Sequence, residues 1–378
     1  MARWICVVMM CGCGLAVAAD AADGTHEDGV AARKRLADWA PPGTDDYESS
    51  YARGLEIVLN YLGDEVDYDT IMGDSGQAFI VQGEVNSVNT LDGAVNIGWW
   101  PLEPMGINIR LNFLEKTVGR ELREVIPSYD ANGGGAYYDD PVSFYERWFE
   151  PMVTSSLAEG RPCIVQVSLW FVVTAVDERE PPFVGNWAWK VETQTTHMEP
   201  EDGYPQKMLA PGEPVPKISR AEADREGLRY AVALHRDEVL GERTGDRGAH
   251  PLRHPCYGRN WRTGVEAYGA WMDALRDTRR PGQAQWHSNA VFQLRLNRAA
   301  AIRYLNAMRE RRPHTAGHLG DAARLYEEVV ATLQSADTSG EALSSAEGRG
   351  AMIAAIEEIV DLESRAADAL EMAADTLD

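Results

Sequence analysis

Cysteine is scarce in this chain, and most of it lies where it cannot build structure. There are five in 378 residues, and Cys6, Cys11 and Cys13 fall within the first thirteen. Only Cys163 and Cys256 remain beyond them. An oxidising compartment permits one bridge between these two. The run Arg161-Pro-Cys-Ile-Val-Gln-Val reads as a buried strand, however, so two unpaired thiols is the favoured reading. Positive charge is also short: 36 Lys and Arg against 59 Asp and Glu give a formal charge of −23. That balance excludes nucleic acid and anionic membrane surfaces as partners, because both select a basic footprint. Long apolar runs are missing after residue 19, so no membrane span is expected.

What is present begins with a leader. Residues 1–19 carry Arg3, run apolar and end in Ala-Val-Ala-Ala, the layout of a cleaved signal peptide. The mature chain is therefore expected to be secreted or periplasmic. Cys13 as a lipid-attachment site is disfavoured by the residues before it. Residues 20–46 are acidic and rich in small residues, and read as a disordered arm.

Ser49 or Ser50 can cap a helix carrying Leu55, Val58, Leu59 and Leu62 at helical spacing, with Gly63 as its left-handed stop. Asp67 caps a short helix through Met72. Short strands and turns are expected over 79–100, a helix over 105–118, a strand over 120–126, and a helix from Asp140-Pro141 towards Gly160 that kinks at Pro151. Cys163–Val176 reads as a central strand or hairpin, Trp187–Thr195 and Leu228–His235 as further strands, and 197–226 as a surface insertion. Helices are expected at 261–276, 287–311, 318–336 and 341–376. Helix, strands, then helices implies α+β, with a core over 47–257 and a helical region over 258–378.

The pattern Leu55-Glu-Ile-Val-Leu-Asn-Tyr-Leu-Gly63, Asp67-Tyr68, Ile71-Met72-Gly73 and Ser75-Gly76-x-Ala78-Phe79 resembles the N-terminal signature of a papain-like superfamily group. That group is related to the double-glycine (bacteriocin-processing) peptidases and to the N-terminal domain of butirosin biosynthesis protein H. Glu159-Gly-Arg-Pro162 before a hydrophobic strand, and Gly264-x-x-Ala-Tyr268-x-x-Trp271-x-x-x-Leu275, are similar to later parts of the same proteins. The resemblance spans roughly 49–330. It implies a helix packed on a small antiparallel sheet, with a thiolate at the helix N-terminus and a histidine from the sheet as general base. Here no thiol lies at 49–54, and the strand expected to carry the base, Trp187–Thr195, has no histidine before His197. The resemblance thus implies a papain-like protein that has lost cysteine catalysis and binds a peptide-like or small ligand. The alternative is a hydrolase or acyltransferase using Ser49 or Ser50 with His197, His235 or His287.

Other constellations are weaker. Gly73-Asp-Ser75-Gly76 lacks the upstream histidine of a serine protease, and Gln77 breaks a nucleophile elbow, so Ser75 reads as a turn serine. His250-x-x-x-His254-x-Cys256 offers zinc-type ligands, but Pro251 and Pro255 prevent the regular helix that would make the histidines converge, so no metal site is assigned. His314 and His318 read as an exposed connection. Trp99, Trp100, Trp187 and Trp189 are the candidates to line a ligand cleft, against the plainer reading of buried core. No cofactor motif is present.

Overall fold

Ser49 is extended (φ −60°, ψ 113°), and its Oγ accepts from the Ala52 amide, starting α1 (Ser50–Tyr61). The structure, a computed structural model, describes residues 49–84, 111–125, 140–166, 169–177, 181–188, 196–198, 204–205, 207–238, 261–277 and 284–377. All of them belong to one compact unit. Gly63 stops α1 at φ 84°, as the sequence predicts. Asp67 caps α2 (Tyr68–Asp74) by accepting from the Thr70 amide at 2.7 Å.

Next come β1 (Gln82–Glu84), α3 (Leu111–Val118), β2 (Arg120–Val125), α4 (Pro141–Trp148), α5 (Glu150–Ala158), β3 (Cys163–Gln166) and β4 (Trp170–Val176). They are followed by β5 (Phe183–Trp187), β6 (Thr196–His197), β7 (Lys207–Pro214), α6 (Arg220–His235) and β8 (Trp261–Thr263). The C-terminal helices are α7 (Gly264–Arg276), α8 (Ala284–Arg311), α9 (Ala316–Ser335), α10 (Gly340–Ser344) and α11 (Ala346–Thr376). The expected single helix over 140–160 is two helices broken at Phe149. Pro151 sits in the first turn of the second, where its missing N–H costs nothing.

Six strands form one antiparallel sheet in the order β2-β7-β3-β4-β5-β6. The α+β class is therefore observed. The sheet is covered on both faces, and the alternation of side chains along each strand assigns them. Ile164, Trp170, Val172 and Leu209 face the core shared with α1. Cys163, Val165, Phe171, Val173, Met208 and Ala210 face the opposite side with Phe149, Val153 and Leu157 of the α4–α5 segment. Cys163 is a free, buried thiol whose pKa burial pushes up, so it is an inert core residue. The first core cluster continues through Leu228, Trp271, Leu294, Tyr304, Val329, Ile356 and Leu370, so the sheet and the helical region share one interior.

Two sequence expectations are corrected here. Residues 207–214, expected inside a surface insertion, form β7, which lies between β2 and β3. Its Pro211, Gly212 and Pro214 disguised it. The prolines are tolerated because β3 pairs only with residues 207–209, so beyond Leu209 the strand has β2 alone as partner. Residues 228–235, expected as a strand, are the second half of α6. Ser219 caps that helix by accepting from the Glu222 amide at 3.1 Å. Leu228, Ala231 and Val232 are buried at helical spacing, which is visible only when the polar first half is read with them.

Candidate functional site

Two serines stand at the N-terminus of α1, where unpaired amides and the helix dipole favour electron-rich groups. Both are buried, at 4% and 7% exposure. Ser49 Oγ accepts from Gln77 Nε2 at 2.6 Å, and its amide donates to the Tyr68 phenol oxygen at 3.0 Å. Burial raises the Tyr68 phenol to about 12, so it is a neutral partner near pH 7. Ser50 Oγ accepts from the backbone amide of Trp170, the first residue of β4, at 3.3 Å. The Tyr51 ring meets the Trp170 ring edge-on at 5.2 Å. An indole and a backbone amide therefore occupy the sheet position that faces the helix N-terminus.

The histidines lie elsewhere. His197, on edge strand β6, pairs with Asp177 at 3.1 Å. Its cross-strand neighbour is Val184, which pairs with Ala175. His197 thus sits two strands from β4, roughly 10 Å away, and five residues along it from Trp170, roughly 16 Å. The structure does not bring it to Ser49 or Ser50. Of the strand expected at Trp187–Thr195 to carry the base, Trp187 ends β5 and 189–195 lie outside the described residues; α1 meets the start of β4. His235 Nε2 meets Ser364 Oγ at 3.0 Å. His287 Nδ1 accepts from Trp271 Nε1 at 2.9 Å. Among the described residues, no hydrogen bond joins a histidine to Ser49 or Ser50.

His287 carries a pH prediction. Burial lowers its pKa to about 4, from about 6.5 in the unfolded chain. The unfolded state then binds the extra proton, so stability is full above pH 6.5 and falls as pH drops towards 4, by on the order of 3 kcal/mol from this group. Urea unfolding at pH 7 and pH 5 should show the loss, and His287→Gln should flatten that part of the profile. An unchanged profile in the variant would remove His287 as the cause.

Two residues the sequence analysis did not select complete the site. Gln77 is 2% exposed; its amide nitrogen holds Ser49, and its Oε1 has no hydrogen-bond partner. Gln166 is paired across the sheet with Trp170, so it shares the face of the sheet that α1 covers. Its Oε1 is likewise buried without a partner. A lone polar residue beside the apolar run Ala78-Phe-Ile-Val81 was the available signal for Gln77. Each orphaned acceptor costs about 1–3 kcal/mol unless something donates to it.

Trp187 is a core residue on the α4–α5 face, stacked edge-on with Phe171 at 5.2 Å. Trp99, Trp100, Trp189, Cys13, Cys256, His250 and His254 lie outside the described residues, as do the expected leader and acidic arm. Among the described residues no group of three or more His, Cys, Asp or Glu is arranged to hold a metal. No described helix is long and apolar enough to cross a membrane. The chain matches no family model and no curated protein.

Proposed function

We propose that the protein is an exported, papain-like binding module without cysteine or serine catalysis, and that it takes a peptide-like ligand near the α1 N-terminus. The observation that carries this reading is the pair of buried, unpartnered acceptors, Gln77 Oε1 and Gln166 Oε1, beside serines whose hydroxyls are already engaged, Ser49 as the cap and Ser50 by the Trp170 amide. An acceptor oxygen needs a donor, and the N–H groups of a peptide or carboxamide supply one. The carbonyl beside such an N–H suits the positive end of α1. A serine nucleophile needs a base within about 3 Å, and Ser50 meets a backbone amide there. Trp99, Trp100 and Trp189, which lie outside the described residues, are the sequence's candidates for apolar contacts with the ligand's side chains.

Two measurements test the reading. A fluorophosphonate probe should leave the full chain unlabelled. Labelling that disappears in Ser49→Ala or Ser50→Ala would establish the hydrolase or acyltransferase alternative instead. Titration with a pool of N-acetylated, C-amidated octapeptides should give a saturable change in tryptophan emission. Gln77→Leu, Trp100→Ala or Trp189→Ala should weaken it about tenfold, the effect of losing one well-placed contact. No saturable change with any pool would sink the peptide-binding claim.

A further inference from the structure

Asp224, fully buried on α6, is the focus of three guanidinium groups. Arg220 Nε lies 2.7 Å and Arg311 Nη2 3.1 Å from its Oδ1, and Arg312 Nε lies 3.0 Å from its Oδ2. Arg220 is otherwise committed: its Nη1 and Nη2 donate to buried Asp74 at 2.7 and 2.6 Å. Three cations against two carboxylates leave one net positive charge, where the N-terminus of α6 meets the C-terminus of α8. Arg311 and Arg312 each spend one donor on Asp224, and a guanidinium has five. Their side chains are 34% and 22% exposed, and among the described residues neither guanidinium makes a side-chain hydrogen bond beyond Asp224. Glu222 and Glu310, on the same two helices, make no ion pair with them among the described residues. Arginines at the end of α8 suit its dipole, and that accounts for Arg309 as well as Arg311. It does not account for two adjacent guanidinium groups pinned to the two oxygens of one hidden carboxylate.

We propose that Arg311 and Arg312, held from behind by Asp224, form a binding site for a phosphate-type oxyanion, either free phosphate or the phosphate of a small ester. Pinning has already removed the rotamer freedom that two free arginines lose on binding. The donors that Asp224 does not take are available to a multi-oxygen anion, for which the planar guanidinium is better suited than an ammonium. The chain's formal charge of −23 opposes long-range attraction of any anion. Affinity therefore comes from short-range contacts, and it should change little once ionic strength passes about 0.1 M. The site is independent of the peptide-like ligand at α1.

The test is calorimetric titration of the full chain with inorganic phosphate and with glycerol 2-phosphate at fixed ionic strength, with chloride as blank. Saturable binding is expected, weakened at least about tenfold in Arg311→Gln/Arg312→Gln and unchanged in Arg309→Gln. An ester binding at least about tenfold tighter than inorganic phosphate would identify the ester as the source, and the converse would identify the free ion. Failure of both anions to saturate by about 10 mM, or equal affinity in the folded double variant, overturns the site. If that variant does not fold, modification of the wild-type arginines by phenylglyoxal decides. Phosphate should slow the reaction at Arg311 and Arg312 and not at Arg309; equal rates overturn the proposal.

Discussion

Glu363→Ala is expected to destabilise the protein by about 3–5 kcal/mol, because it strands a buried cation. Arg298 on α8 is fully buried, and Glu363 on α11 is 2% exposed. Arg298 Nε and Nη2 form a two-pronged pair with the carboxylate, the second contact at 2.9 Å. Nη1 donates to the Ala78 carbonyl at 2.8 Å and to that of Ile80 at 3.4 Å. The Tyr326 ring lies 5.4 Å from the guanidinium carbon. Alanine at 363 leaves a full charge with only carbonyls and a ring face, so urea unfolding followed by tryptophan emission should register the loss directly. Converting the pair to Arg298→Met/Glu363→Leu should recover part of the loss, since an apolar pair avoids desolvation. A deficit of about 1–3 kcal/mol should remain, because the Ala78 carbonyl then has no donor. A loss under about 1 kcal/mol in Glu363→Ala would mean that water reaches the pair.

The pair also links the helical region to the candidate site. Residues 78–80 are the segment Arg298 holds, and Gln77 immediately precedes them. Glu363→Ala should therefore loosen Gln77 and the hydrogen bond it donates to Ser49, and the peptide binding proposed above should weaken together with stability.

Local rules made much of this legible in the sequence. Helix α1, its stop at Gly63, the Asp67 and Asp140 caps and the β3–β4 hairpin follow from spacing and turn chemistry within ten or so residues. β7 was hidden because prolines in one half of a strand look like a loop until the partner strands are known. The second half of α6 reads as a strand in the sequence because eight residues are too few to separate the two periods. The site was harder to read because it is assembled from distant positions. Ser50 meets Trp170 across 120 residues, and Arg298 meets Ala78 across 220. Nothing in the neighbourhood of Ser50 announces that an indole at the start of β4 faces it. Ser49 is legible in the sequence by its cap signature, and the partners of both serines only through the fold.

Within Gly73-Asp-Ser-Gly76, the aspartate and not the serine is expected to carry the energy. Asp74 is fully buried and accepts both Arg220 contacts and the Tyr304 hydroxyl at 2.9 Å. Burial beside Asp74 holds the Tyr304 phenol well above 10, so it stays a donor. Gly73 is fixed by the same contact: a Cβ there would lie 2.3 Å from the Tyr304 ring. Asp74→Ala removes two of Arg220's charged contacts and leaves the buried Tyr304 hydroxyl without its acceptor, while Arg220 Nε keeps Asp224, for about 1.5–3 kcal/mol. Ser75 Oγ makes only two long contacts, to the Met72 carbonyl and from the Gln77 amide, each 3.3 Å. Ser75→Ala should cost about 1 kcal/mol or less. Urea midpoints of the two variants decide between a structural loop and a catalytic one. Near-equal losses, or fluorophosphonate labelling abolished by Ser75→Ala, would return the loop to the list of candidate active sites. The expected ratio makes it the joint on which α2, α6 and α8 are locked, with its serine as a turn residue.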